Sequence, residues 1–302
     1  QDFTITPTEE QQAKLKAYVG KEVTFGVRPE DLHEKDFADN QIKAEVDVVE
    51  PLGAEVYVIG NHPDGLNTNK GCGSTHIEKL QELVKEKHLD VGFAFDGDAD
   101  RCLAVDENGN FIDGDKILYV LAQRIKRHKY LKNNVVVSTI MSNQGFGKAL
   151  RAIGLENVQT KVGDRFVYEY MSTHGNRIGG EQSGHIIFSK YATTGDGLLT
   201  ALKVMEVIMA KKTTLSDLVK DLVLYPQVLI NLKVKSKPEA KNDPDVIKVS
   251  EEVTKTLGDR GRLLLRESGT EPVIRIMVEA QTDEECTKYA EEIKEKILEL
   301  AN

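Results

Sequence analysis

Val91-Gly92-Phe93-Ala94-Phe95-Asp96-Gly97-Asp98-Ala99-Asp100-Arg101 is the stretch on which the reading of this chain turns. An apolar run passes straight into three carboxylates that alternate with small residues. The run predicts a buried strand that ends in a tight loop. Alternation turns the acids toward one point, and Gly97 lets the backbone bend without a Cβ penalty. Converging carboxylate oxygens suit a hard cation such as Mg²⁺, which takes oxygen ligands and keeps positions open for phosphate. Asp96, Asp98 and Asp100 are therefore candidate metal ligands, and Arg101 stands where it can pair with a phosphate. The competing explanation is a solvated acidic turn.

Around this stretch the rhythm is α/β from about residue 59 onward. Ile77–Lys87 has helical spacing and precedes the Val91–Phe95 strand; Asp115–Lys129 is a second helix. Val135–Ile140 is a continuous apolar run, the pattern of a parallel strand buried on both faces. Helices are expected at Gly145–Ile153, Gly197–Met209 (strongly amphipathic), Leu215–Leu224 and Asp283–Leu300, with strands at Asn157–Val162, Gln227–Val234, Gly261–Arg266 and Val273–Glu279. Residues 1–58 read differently. A short helix at Thr8–Tyr18 and alternating strands at Val23–Val27, Lys43–Val49 and Glu55–Ile59 suggest a small β-barrel-like piece.

The bulk properties narrow the field. The 302 residues allow two or three domains, and a net charge of −9 argues against nucleic-acid or anionic-membrane partners. Cys72, Cys102 and Cys286 are far apart and odd in number, so free thiols in a reducing cytoplasm are expected. The absence of a long apolar run predicts no membrane insertion, and the N-terminus has no basic-then-apolar signal.

Two further polar loops carry chemistry. In Gly179–His185, glycines allow close approach of a ligand while Glu181, Ser183 and His185 offer groups suited to sugar hydroxyls; a glycine-rich hairpin with solvated side chains would look the same. In Arg266-Glu267-Ser268-Gly269-Thr270-Glu271-Pro272, Ser268, Gly269 and Thr270 can form a nest of N–H donors for an anion, flanked by Arg266 and Arg275. Gly163-Asp164-Arg165 is either another site loop or a turn. The set suits a phosphosugar handled at both ends.

From about Gly60 the chain resembles the phosphoglucosamine mutase branch of the α-D-phosphohexomutase superfamily. The resemblance rests on Pro63–Asn67, Gly73–His76, Asp96–Arg101, Gly180–His185 and Arg266–Pro272, with Gln182 in the form of the glucosamine branch. It implies an isomerase that converts glucosamine 6-phosphate to glucosamine 1-phosphate by intramolecular phosphotransfer. It also implies Mg²⁺ on Asp96, Asp98 and Asp100, with Arg101 stabilising the transferring group. Glu181, Ser183 and His185 would read the sugar, while Arg266, Ser268, Gly269, Thr270 and Arg275 clamp the other phosphate. The family's nucleophilic serine, in a Thr-Ala-Ser-His-Asn-Pro-like loop, has no counterpart among these residues. The expectation is thus a mutase-like protein that is catalytically incomplete.

Residues 20–31 and 48–57 resemble instead the β-rich C-terminal accessory domain of sugar-importer ABC ATPases. No Gly-x-x-x-x-Gly-Lys-Ser/Thr loop accompanies them, so ATP hydrolysis is not expected. The expected organisation is an OB-like piece at 1–58, with a protein partner as its ligand. A truncated second mutase domain at 59–110 carries the metal loop, a third at 111–222 the sugar loop, and a C-terminal domain at 223–302 the phosphate loop. The fold class is α/β, with phosphohexomutase-like mixed sheets, an α+β C-terminal domain and a small β-rich N-terminal segment. Two alternatives stand beside this reading: a non-catalytic sugar-phosphate or transporter-associated binding module, and an artificial join of unrelated fragments near Glu55–Gly60.

Overall fold

The computed structural model describes residues 56–62, 64, 66–127, 131–268 and 271–301. The helix and strands expected at 8–18, 23–27 and 43–49 lie outside them, and so does the β-rich N-terminal segment. Val56–Ile59 of the last expected strand is described; it is not a strand, and all four side chains are exposed. The fold set out below is that of one compact unit, Ile59–Asn302.

Helix α1 (Glu78–Lys87) has Glu78 in its first turn and Lys85 and Lys87 in its last, each complementing the helix dipole, and it ends on a left-handed His88. It lies on β1 (Val91–Phe95), where Gly92 makes room: a Cβ there would stand 2.9 Å from the Leu80 and Val84 side chains. β1 pairs antiparallel with β2 (Cys102–Asp106), Phe95 opposite Cys102, so the acidic loop is the connection between them. β3 (Phe111–Ile112) completes this sheet.

Helix α2 (Gly114–Arg127) leads to the second sheet. Its order is β5-β4-β6-β7, built from β4 (Val135–Thr139), β5 (Glu156–Thr160), β6 (Ile178–Gly180) and β7 (Ile186–Phe188). β4 runs parallel to both neighbours, as its apolar run predicts. Val136 joins the large core with Ile117, Leu118, Phe146 and Leu150. Val135 and Val137 join a cluster on the other face with Val167 and Met171. Burying each such side chain contributes about 2 kcal/mol. The covering helices are α3 (Gln144–Ala152), α4 (Asp164–His174), α5 (Gly197–Lys211) and a short α6 (Leu215–Val219). α6 stops before Leu224 because the chain turns back over α3, where a Cβ on Gly145 would meet the Val223 carbonyl at 2.0 Å. The expected one-sided polarity of α5 is weak: Leu198, Leu202 and Met209 are exposed while Val204 and Val207 are buried.

The third sheet is antiparallel, order β8-β10-β9, from β8 (Gln227–Lys233), β9 (Arg262–Glu267) and β10 (Val273–Glu279). Ile274, Ile276 and Val278 point into a separate core. α8 (Pro244–Leu257) and α9 (Asp283–Ala301) close it, after the short α7 (Lys237–Asn242). α8 is unanticipated, yet Asp243 accepts from the amides of Asp245 and Val246 just ahead of Pro244, an ordinary start signal. Among the described residues no helix is long and apolar enough to cross a membrane.

A buried ionic knot joins the third sheet to the second. Arg262 grips Glu279 through two bonds, at 2.8 and 2.9 Å, and donates to the carbonyls of Ile140 and Ser142. Glu279, fully buried, also accepts from the Gln144 amide. Beside it, Asp115 Oδ2 accepts from the Asn143 amide at 2.7 Å, while its Oδ1 is buried without a hydrogen-bond partner. Burial, then the Asp113 carboxylate, push the Asp115 pKa up to about 8.

That rise has a definite sign. Between the ordinary 3.8 and about 8, the unfolded chain releases a proton that the folded chain keeps, so stability falls as pH climbs through this window. Asp115→Asn cannot ionise but still accepts from Asn143. In thermal melts it is expected to exceed the unsubstituted protein at pH 8, the difference closing toward pH 4. A difference independent of pH would refute this.

Candidate functional site

The acidic loop is a strand end bent by two unusual residues. Gly97 lies where a Cβ would strike Thr68 Cγ2 at 2.3 Å, and Ala99 adopts a left-handed φ of 57°. That conformation costs an alanine about 1 kcal/mol. It is held by bonds from the Ala99 amide to the Asp96 carbonyl, 3.1 Å, and from the Gly197 amide to the Ala99 carbonyl, 2.8 Å. Carboxylate oxygens of Asp96, Asp98 and Asp100 all come within 4.8 Å of one another. Arg101 closes the loop: its amide donates to Asp96 at 3.1 Å, and its guanidinium stands 3.6 Å from Asp96 and 4.0 Å from Asp100. Burial, followed by hydrogen bonding and repulsion from Asp96, and then repulsion from Asp98, raises the Asp100 pKa against the opposing pull of His185. More negative charge is gathered here than Arg101 neutralises. An all-oxygen, charge-excess donor set fits a hard divalent cation.

The hairpin between β6 and β7 is bolted directly to this loop. Arg101 and His185 form an antiparallel bridge, and the Cys102 amide donates to the Gly184 carbonyl at 3.0 Å. Gly184 has φ 94°, and a Cβ there would meet the Cys102 carbonyl at 2.5 Å. His185 is buried, with Nδ1 at 3.0 Å from Asp100 Oδ2. Its Nε2 accepts from the Gly195 amide at 2.8 Å, which places the ring proton on Nδ1, facing Asp100. Both ring nitrogens are thus engaged inside the protein, one facing an acidic-loop carboxylate and the other a backbone amide.

Glu181 and Ser183 sit at the open end of the same hairpin, Ser183 exposed. Glu181 Oε1 accepts from the Gly163 amide at 3.0 Å, just ahead of α4, and Asp164 stands 3.6 Å from His185 Nε2. The Gly163-Asp164 element therefore belongs to this cluster. Gln182 points inward, its amide 3.4 Å from Asp113. The segment Gly195-Asp196-Gly197 was missed from sequence. A Cβ on Gly195 would strike the Asp100 carbonyl at 2.5 Å, and one on Gly197 the Arg101 carbonyl at 2.5 Å. The available signal was two glycines flanking Asp196, which caps α5 through the Leu199 amide.

The third loop is separate. Arg266 and Arg275 are directly opposed in the register of β9 and β10. Like charges so placed repel. Each has a buried Nε without a hydrogen-bond partner, and burial, then Arg275, lower the Arg266 pKa. Arg275 donates to Glu271 at 3.0 Å, and buried Ser268 accepts from the Glu271 amide at 3.2 Å. Gly269 and Thr270 lie outside the described residues. Among those described, no hydrogen bond or ion pair links this cationic pair to the other two loops.

Comparison with known proteins gives three consecutive domain profiles. They are phosphoglucomutase/phosphomannomutase alpha/beta/alpha domain II over residues 42–109, alpha/beta/alpha domain III over 113–225, and the C-terminal domain over 229–296. Residues 1–32 match the MalK OB fold domain. The phosphoglucosamine mutase of Lachnospira eligens is 61% identical over 246 residues, 82% of this chain and 55% of that protein. That of Geobacillus kaustophilus is 52% identical over the same shares. The chain thus spans about half the length of the curated relatives it matches. An N-acetylphosphoglucosamine mutase structure from Aspergillus fumigatus superposes with a TM-score of 0.65 at 21% identity, covering 77% of this chain and 53% of that one. Another, in complex with GlcNAc-6P and magnesium, gives 0.61 at 20% identity over 74% and 56%. At that identity the structures show the fold.

The bridge makes Gly184→Ala informative. The methyl would enter the Cys102 carbonyl on a left-handed backbone, so a loss of about 2–3 kcal/mol is expected from denaturant titration. A substitution costing under about 0.5 kcal/mol, the range of ordinary surface changes, would show that the hairpin and the acidic loop are not rigidly joined.

Proposed function

The chain belongs to the phosphoglucomutase/phosphomannomutase family across residues 42–296, and on that footing we propose that it recognises a hexosamine phosphate, glucosamine 6-phosphate or its 1-phosphate isomer, as a phosphoglucosamine mutase does. The observation that carries the reading is the fusion of the Asp96–Asp100 carboxylate cluster to the Glu181–His185 hairpin by one backbone bridge. Asp96, Asp98 and Asp100 would hold Mg²⁺, whose chemistry there is to neutralise a phosphoryl group. Arg101, already tethered to Asp96 and Asp100, presents its guanidinium beside that position. Glu181 and Ser183 face the sugar hydroxyls, with Glu181 oriented by the Gly163 amide. His185 orients Asp100. Arg266, Ser268 and Arg275, with Gly269 and Thr270, clamp the distal phosphate. Its negative charge relieves the opposed arginines and takes up their unpartnered N–H groups.

The reading assigns to these residues recognition and charge neutralisation; the phosphoryl donor is assigned to none of them. Supporting it are the identity to phosphoglucosamine mutases and a fold neighbour solved with GlcNAc-6P and magnesium. The match of residues 1–32 to the MalK OB fold domain supports a second reading, a module that docks on a sugar importer.

Calorimetry separates the two. Glucosamine 6-phosphate is expected to bind in the presence of Mg²⁺, and Asp98→Asn to weaken the Mg²⁺ affinity by at least about tenfold. Binding to a maltose-importer membrane subunit, with no heat from the phosphosugar, would reverse the ranking. A second expectation concerns the distal clamp: Arg266→Met weakens phosphosugar binding by about tenfold or more while leaving Mg²⁺ affinity unchanged. Equal loss of both would mean the variant perturbs the fold and not the clamp.

A further inference from the structure

The hairpin between β6 and β7 and the start of α5 hold one half of the acidic loop. Gly184, Gly195 and Gly197 lie against the backbone of residues 99–102, and His185 reaches Asp100. Asp98 is exposed and, among the described residues, makes no hydrogen bond or ion pair. Its place is therefore set through the backbone at Gly97 and Ala99. What covers Gly97 comes from ahead of α1: a Cβ there would strike Thr68 Cγ2 and would stand 3.7 Å from Asn69 Nδ2. Thr68 and Asn69 are the central pair of a turn closed by the Lys70 amide on the Asn67 carbonyl, 3.0 Å. Asn69 has the positive φ, 59°, that the third position of such a turn accepts. This turn is pinned at both ends. Before it, the Asn67 amide donates to Asp64 at 2.8 Å and the Asn67 side chain to the His62 carbonyl at 2.8 Å. After it, the Ser74 amide donates at 3.2 Å to the carbonyl of Phe95, the residue just ahead of Asp96. A Cβ on Gly73 would stand 2.7 Å from that same oxygen and 2.9 Å from Asn69 Oδ1.

We infer that Thr68 is a positioning residue for Asp98: its methyl group, presented by the pinned turn, packs over Gly97 and so keeps the Asp98 carboxylate with those of Asp96 and Asp100. The inference rests on the proposed function for the cation that these three gather. Repulsion among three carboxylates drives the least supported of them outward. Asp98 is that one, and the residue before it is a glycine, whose backbone has the widest freedom to follow. A β-branched side chain is stiff at χ1, so a threonine methyl makes a firm stop where a longer side chain would yield. The contact belongs to the methyl, since among the described residues the Thr68 hydroxyl makes no hydrogen bond. Thr68 is itself exposed, so the fold gains little from burying it. Its effect falls on the loop beneath it.

The test uses the full chain with Thr68→Val, which keeps the methyl and removes the hydroxyl, and Thr68→Ser, which does the reverse. Calorimetric titration with Mg²⁺ is expected to place Thr68→Val within about twofold of the unsubstituted chain and Thr68→Ser about tenfold weaker. Thr68→Ser combined with Asp98→Asn loses little more than Asp98→Asn alone, because both changes act on one carboxylate. Melting temperatures stay together, as an exposed residue allows. Full affinity in Thr68→Ser, equal loss in the two single variants, full additivity with Asp98→Asn, or a loss that tracks a lowered melting temperature each overturns the inference. Hydrogen exchange of the Ala99 amide, which is bonded to the Asp96 carbonyl, reads the loop without metal. It is expected to quicken in Thr68→Ser and to hold in Thr68→Val. If the unsubstituted chain binds no Mg²⁺, the cation reading of the proposed function fails, and the exchange rates still decide whether Thr68 holds the loop. Unchanged exchange in Thr68→Ser overturns the inference in either case.

Discussion

An antiparallel bridge between Arg101 and His185 sets the distance between the first sheet and the second, and the chemistry of the acidic end depends on that distance. The bridge works because three glycines strip away the side chains that would separate the two backbones. A Cβ on Gly184, Gly195 or Gly197 would meet a carbonyl of residues 99–102 at 2.5 Å or a little more. Once the backbones are that close, His185 Nδ1 reaches Asp100, and Gly195 holds the far side of the same ring. The carboxylates, the hairpin and the start of α5 then form one rigid object. Its rigidity comes from backbone contact, so exposed side chains at its mouth need not contribute to stability.

Charge is distributed in the molecule with unusual imbalance at two places. Asp96, Asp98 and Asp100 crowd together with one arginine among them, and Arg266 and Arg275 crowd together with one glutamate. A chain selected for stability alone would spread such groups apart, since like charges cost free energy at these separations. In the proposed reading, a cation offsets the first and a phosphate the second. The buried knot of Arg262 and Glu279 shows the contrast: there every charge is matched and hydrogen-bonded, which is what a structural ion pair requires. Both the knot and the opposed arginine pair lie on β9 and β10, toward opposite ends of the same pair of strands.

How far the sequence could be read depended on whether a signal was local. The Val135–Ile140 run exposed a two-faced parallel strand because burial on both sides leaves no polar alternation to explain away. The carboxylate cluster of Asp96–Arg101 was readable because its members lie within six residues on one loop. β2 was overlooked: all five of its residues are buried, but they follow the acidic loop without a turn signal of their own. Gly195 and Gly197 were overlooked because their value lies in what they touch. Nothing in Thr194-Gly195-Asp196-Gly197 announces the carbonyls of Ala99 and Arg101 a hundred residues away.

The sequence by itself determined the fold class, the families of its parts and the residue types at each loop, because periodicity and short motifs are carried by neighbours along the chain. Tertiary structure alone decided which groups are available. His185 carries the same imidazole in any reading, but only folding commits both of its nitrogens to Asp100 and the Gly195 amide. Asp115 is an ordinary aspartate until burial beside Asp113 takes away the water that would ionise it. Hydrogen bonding and desolvation depend on distances between residues remote in sequence, and those distances exist only once the sheets have closed on one another.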